Sequence, residues 1–117
     1  MVAYVPPKQA GKYKAVASGA ITNGKPVIVH TDGTVKQVSG SVTLTTENYI
    51  GLASGGTYSD TAEATIDVVG TVNKDQSGLT AGQTYYVQTD GTLGTTADDP
   101  SVVAGTAISA TEIIVKG

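Results

Sequence analysis

The chain lacks several residue types on which protein chemistry depends. Its 117 residues include no cysteine, tryptophan, phenylalanine or arginine, and they include a single histidine, His30. Without cysteine there is no disulfide framework, no thiolate nucleophile and no Cys-based zinc site. Acid–base catalysis, phosphate clamping and imidazole metal sites usually need two or more converging groups of the missing or rare types. The composition therefore predicts a protein that is not an enzyme and has no catalytic residue, metal or cofactor.

The remaining candidate sites are small. His30 and Asp32 flank one turn, but two ligands are fewer than a dedicated metal site needs. The pair Asp98 and Asp99 lacks the regular oxygen-ligand spacing of a calcium loop, and a turn ahead of Pro100 is its ordinary explanation. A small hydrolase or lyase that uses paired carboxylates is the catalytic alternative, supported only by long loops and clustered acids.

Long hydrophobic runs are absent as well. No stretch approaches 18 apolar residues, and the opening residues contain no signal-peptide core. We therefore expect the mature protein to be this whole chain, made in the cytosol, without a membrane partner.

Charge is distributed unevenly along the chain. Residues 1–46 contain five lysines and one aspartate, a net charge of +4, whereas residues 47–117 contain two lysines and nine acids, a net charge of −7. Nucleic-acid binding normally requires arginines, a strongly basic face and stacking aromatics. The lysines are too sparse for that, so we expect no nucleic-acid partner. A basic leading segment can instead be steered onto an acidic protein surface.

What the chain has in abundance is threonine, valine and glycine. This mixture favours short pleated strands separated by tight turns, and we predict an all-β fold in which strands form a sandwich or small barrel. The connection 70–82 is polar, and we interpret it as a long loop anchored on the core by Leu79. The predicted strands cover residues 13–18, 26–30, 34–38, 49–54, 62–69, 84–89, 92–95, 102–108 and 112–116.

Two Asp-Gly pairs, Asp32-Gly33 and Asp90-Gly91, sit between strand-forming residues. Each predicts an antiparallel hairpin closed by a two-residue type I′ turn. At an offset of 58 residues the segment 24–35 also resembles 82–93, and a weaker match extends the repeat to about 24–54 and 82–108. We interpret the chain as two related β-units that share one core. The alternative is a pair of unrelated Asp-Gly hairpins.

The amino terminus has a different character. Tyr4-Val5-Pro6-Pro7 combines extended-chain residues with two prolines, which cannot donate backbone hydrogen bonds and so cannot lie in the middle of a sheet. We therefore divide the chain into an extended arm over residues 1–14 and a single β domain over residues 15–117.

Two apolar segments resemble a known family. The segment Val103-Ala104-Gly105-Thr106-Ala107-Ile108-Ser109 is similar to the closing strand of the lambda-like bacteriophage head decoration proteins. Ile50-Gly51-Leu52-Ala53, followed by the threonine-rich stretch 57–66, resembles the central strand of the same family.

The resemblance implies a small, β-tulip-like domain, often trimeric, that binds the major capsid protein on the outer surface of an expanded capsid. It is assembled in the host cytoplasm, and its amino-terminal arm orders on the capsid by adding a strand to an exposed edge. On this basis the predicted partner-binding residues are Val2, Tyr4, Val5, Pro6, Pro7, Lys8, Lys12 and Lys14. The alternative function is a tail-fibre or receptor-binding module, because the segment 82–93 also resembles segments of other phage virion proteins.

Overall fold

Two five-stranded antiparallel sheets make up the structure, a computed structural model that describes residues 12–116. Those residues contain strands, turns and bends but no helix, so the predicted all-β fold is confirmed. The first sheet has the strand order β1-β5-β4-β2-β3 and the second the order β6-β10-β9-β7-β8. The strands are β1 (Lys12–Val16), β2 (Pro26–Val29), β3 (Val35–Gln37), β4 (Tyr49–Ser54), β5 (Glu63–Asp67), β6 (Val72–Asn73), β7 (Thr84–Val87), β8 (Leu93–Gly94), β9 (Val103–Ala107) and β10 (Ile113–Val115).

The second sheet reproduces the strand order of the first, with each strand number raised by five. The agreement extends to irregularities of pairing. The β2–β4 register shifts between Val27 and Ile28, and the β7–β9 register shifts between Tyr85 and Tyr86, which are the same positions at the offset of 58 residues. The two halves of the chain thus have one topology and one bulge position in common.

The two Asp-Gly hairpins join adjacent antiparallel strands, as expected, but their predicted turn type is wrong. His30 N–H donates to the carbonyl of Thr34 at 2.8 Å, and Gly33 N–H donates to the carbonyl of His30 at 3.0 Å. Gly33 has a φ of 86°, whereas Asp32 does not have positive φ. The loop is therefore a type I turn followed by a left-handed glycine. The Asp32 carboxylate favours it by accepting bonds from the backbone N–H and hydroxyl of Thr34, at 3.0 and 2.7 Å.

The segment predicted as one long loop, residues 70–82, contains the strand β6. Val72 and Asn73 pair with β10 at the edge of the second sheet. The apolar pattern of a strand is missing here because Asn73, although fully buried, is held by side-chain hydrogen bonds. Leu79 does pack against the core, as predicted.

The two sheets pack with unlike faces in contact, so that the back of the first sheet lies against the front of the second. We call "front" the face that carries Val27, Ala53 and Ile66 in the first sheet. In the second sheet the front carries the residues at the equivalent positions. Those equivalents are Tyr85, Ala107 and Ile113.

The front of the first sheet is packed with Ile21 and half-buried Tyr58. Its back meets the front of the second sheet, where Leu52 packs in a cluster with residues such as Ile113. On the same back face, Ile28 joins a second cluster that also contains Val87. The first sheet therefore has apolar residues buried on both of its faces.

Candidate partner-binding surface

Most of the predicted partner-binding residues, namely Val2, Tyr4, Val5, Pro6, Pro7 and Lys8, lie outside the described residues. Lys12 and Lys14 lie in β1, the outermost strand of the first sheet, which is paired with β5. An outermost strand can accept a further strand along its second backbone edge. The structure thus places the two described candidates on a strand edge.

The two lysines differ in what they offer to a partner. The Lys12 ammonium forms an ion pair with the Asp67 carboxylate and donates to the Ser54 hydroxyl at 3.2 Å. Asp67 is 1% exposed, whereas the Lys12 side chain is 30% exposed. The charge of Lys12 is consequently compensated within the protein. Lys14, two residues further along the strand, is exposed.

Asp67 belongs to a buried polar network that the sequence did not indicate. Asn73 donates from Nδ2 to Asp67 Oδ2 at 3.0 Å and to the Ala53 carbonyl at 3.1 Å. Its Oδ1 accepts from Gln76 Nε2 at 3.0 Å and from the backbone N–H of Asp75 at 3.1 Å. Asn73 lies in the second sheet and Asp67 in the first, so these bonds join the sheets at one fixed position.

An apolar groove lies beside the start of β1. It has a volume of about 590 Å³. Tyr13 and Val69 are 43% and 59% exposed on it, and a contiguous exposed apolar patch is a feature of interaction sites. Residues from three strands and from the segment that follows β5 form its walls: Lys12, Tyr13, Val29, Tyr49, Ile50, Val68 and Val69.

Tyr49 marks the deep side of this groove. Burial raises the pKa of its hydroxyl well above the ordinary value for tyrosine. The hydroxyl donates a long bond of 3.5 Å to the Ala104 carbonyl of the second sheet. Tyr49 therefore lines the groove with an uncharged side chain that also contacts the second sheet.

The hairpin tips carry ionised carboxylates held by threonines. Hydrogen bonds from the Thr34 hydroxyl and backbone N–H lower the pKa of Asp32, and those from Thr92 lower the pKa of Asp90 in the same way. Across residues 12–116, no three histidine, aspartate or glutamate side chains gather in a way that could hold a metal ion. The local chemistry at these tips is that of turn stabilisation.

Comparison with known proteins adds no relative: no protein-family model matches the chain, and no curated protein sequence matches it significantly. In the part of the chain that the structure describes, no helix is long and apolar enough to cross a membrane. The arrangement that stands out is a strand edge with an exposed lysine beside an exposed apolar groove. Such an arrangement is chemically suited to contact with another polypeptide.

Proposed function

We propose that this protein decorates and stabilises a bacteriophage capsid by binding the major capsid protein on the outer surface of the virion head. The observation that carries the proposal is the position of β1. This strand lies at a sheet edge beside the exposed apolar groove, and in the sequence it directly follows residues 1–11, which contain most of the predicted binding residues. The similarity of residues 50–53 and 103–109 to lambda-like head decoration proteins supports the same function.

In this proposal the contact forms by strand addition. Backbone hydrogen bonds from an extended segment supply affinity, and alternate side chains entering pockets supply specificity. The net charge of +4 over residues 1–46 steers the leading segment towards an acidic surface, while the acidic remainder of the chain stays away from it. A homotrimer engages three such contacts at once and gains avidity. The protein acts without catalysis, cofactor, nucleic acid or membrane, after assembly in the host cytoplasm.

The direct test is removal of the residues that precede β1. Deletion of residues 2–10 keeps Lys12 and its ion pair with Asp67, so the thermal unfolding midpoint should stay close to that of the full chain. Co-sedimentation with expanded capsids should then fall by at least about tenfold in affinity. Unchanged co-sedimentation would overturn the assignment of the binding residues.

A matched pair of lysine substitutions makes the test sharper. Lys14→Ala removes an exposed charge beside the proposed contact, and Lys116→Ala removes an exposed charge near the other terminus. The first should weaken capsid binding and make the remaining binding less sensitive to added salt, whereas the second should leave both the affinity and its salt dependence unchanged. Equal effects of the two substitutions would argue for a nonspecific charge effect instead.

The tail-fibre or receptor-binding alternative makes a different prediction. It is favoured by the sequence of residues 82–93 and by Tyr86, which stands half-buried on the back of the second sheet. Labelled protein observed on virions by electron microscopy separates the two functions. Labels at regular positions over the shell support decoration, and labels at the tail tip would replace decoration with the adhesive function.

A further inference from the structure

The repeated topology allows residues of the two sheets to be matched one by one. Ala53 pairs with Ile66 in the first sheet, and Ala107 pairs with Ile113 in the second. These pairs align β4 with β9 and β5 with β10. A third set of pairs aligns β1 with β6, because Tyr13 is the partner of Ile66 and Asn73 is the partner of Ile113.

Matched front positions differ in burial. Val87, Ala104 and Val115 of the second sheet are fully buried, because the back of the first sheet covers this front. Their counterparts in the first sheet are only half-buried and line the exposed apolar groove. Those counterparts are Val29, Ile50 and Val68. The groove is thus the first-sheet equivalent of a surface that, in the second sheet, is covered by the chain itself.

The covering face also has an uncovered counterpart. In the first sheet, Ile28 and Leu52 on the back do the covering, and both are buried. The matching back positions in the second sheet are Tyr86 and Thr106, which are half-buried. Ile108, at the margin of the same face, is 46% exposed. Ile21 and Tyr58 cover part of the front of the first sheet, and its groove part stays open. Each chain therefore has one partly open front, at the groove, and one open back.

A coordinated difference in polarity links these two surfaces. Inside the chain, Asn73 on a front bonds to Asp67 on a back at 3.0 Å. At the uncovered front the counterpart of Asn73 is Tyr13, and at the uncovered back the counterpart of Asp67 is Ile114. A polar pair inside the chain is thus matched by an apolar pair at the two open surfaces. Because both positions are polar inside the chain and both are apolar at the open surfaces, the two open surfaces are suited to contact each other.

We infer that copies of this protein associate head to tail, with the back of the second sheet of one copy stacked on the groove of the first sheet of the next. The occupant of the groove is a second copy of the chain, and Tyr13 of one copy meets Ile114 of the other. The contact is heterologous, since two different surfaces meet, and it closes into a ring or continues as a filament according to its rotation. The inference holds whether or not the protein binds capsids.

Because the natural chain has no cysteine, engineered cysteines can test the contact cleanly. Tyr13→Cys and Ile114→Cys are made in separate chains, each of which then carries a single thiol. Mixed under mild oxidation, the two proteins should form a covalent dimer, whereas neither alone should form one efficiently.

The control replaces Ile114→Cys by Glu47→Cys, an exposed loop position outside both surfaces. A dimer formed equally well with this variant would reflect random collision. Efficient dimers of Tyr13→Cys alone would show a symmetric contact. Either result would overturn the head-to-tail arrangement.

A second measurement does not depend on disulfides. Sedimentation velocity of the unmodified protein should show oligomers whose population grows with concentration, and Ile114→Lys should weaken this self-association by at least about tenfold. Ile114 is half-buried on an outer face, so the thermal unfolding midpoint of the variant should change little. A protein that stays monomeric at the highest soluble concentration would refute the inference, and capsid binding measured separately keeps this result distinct from the proposed function.

Discussion

Replacement of Asn73 by aspartate should place two carboxylates in contact between the sheets. The substitution preserves side-chain size, but it replaces an amide that donates to Asp67 Oδ2 at 3.0 Å and to the Ala53 carbonyl at 3.1 Å. Both Asn73 and Asp67 are almost completely buried. The expected result is a large, pH-dependent loss of stability.

The magnitude follows from two contributions at neutral pH. Like charges at about 4 Å repel by about 4 kcal/mol at an effective dielectric constant of about 20, and the ammonium of Lys12 next to Asp67 offsets part of this. Leaving buried acceptors without donors adds about 1–3 kcal/mol. We therefore expect Asn73→Asp to lower the free energy of unfolding by about 3–5 kcal/mol, a large share of the roughly 5–15 kcal/mol typical of a domain.

The sign of the pH dependence is fixed by the same contact. The neighbouring carboxylate and burial raise the folded-state pKa of the new carboxyl above its unfolded value of about 3.9. Stability is then retained below the unfolded pKa, where the protonated group donates to Asp67, and is lost as pH rises through the folded pKa. Relative to the unmodified protein, the loss should shrink to about 1 kcal/mol near pH 4.

Denaturant unfolding of both proteins at about pH 4 and about pH 8 measures the difference. Asn73→Ala removes the same hydrogen bonds without adding charge, so its loss should vary little between these pH values. Asn23→Asp is the matched control, because Asn23 Oδ1 accepts from Gly56 N–H at 3.2 Å and a carboxylate oxygen can do the same. Equal losses for Asn73→Asp at the two pH values would refute the reasoning.

Two further predictions concern backbone and turns. Gly51→Ala should lower the free energy of unfolding by about 2–4 kcal/mol, because the added Cβ would lie 2.0 Å from the Asp67 carbonyl oxygen at a φ of 154°. Gly40 has open space around it, so Gly40→Ala should cost less than about 0.5 kcal/mol. Chemical denaturation compares the two variants, and equal losses would contradict the steric argument. The double variant of Asp32→Asn and Asp90→Asn should have a lower thermal midpoint at neutral pH, because the lowered pKa of each carboxyl stabilises the fold above the unfolded pKa and that contribution disappears as pH falls. A difference in midpoint that persists unchanged down to about pH 2 would show that those carboxylates act otherwise.

Local patterns in the sequence were sufficient to predict nine of the ten strands and the two hairpins. Alternating apolar residues and Asp-Gly pairs act over a few neighbouring residues, so they report structure directly. The turn type escaped prediction because the Asp32 side chain, by accepting bonds from Thr34, stabilises a longer loop than the Asp-Gly pair implies. Strand β6 escaped it because the burial of Asn73 depends on partners far away in the sequence.

The candidate surface was less predictable than the fold. Composition pointed to the basic leading segment, but nothing in the sequence indicated that Lys12 is paired with a buried carboxylate. The apolar groove escaped prediction for the same reason, since Tyr13, Val29 and Val68 come together only when β1, β2 and the segment after β5 are assembled. Which face of a sheet remains open is decided by stacking, which no short pattern encodes.

Because the back of the first sheet packs against the front of the second, the two halves of the chain differ in whether they can form a core alone. The cluster that contains Ile21, Val27 and Ile66 consists entirely of residues from the first half of the chain. The cluster around Ile113 includes Leu52, so the second half completes its core only by packing against the back of the folded first sheet. During synthesis the first half leaves the ribosome early and can form its core at once, and the second half then has a template on which to fold.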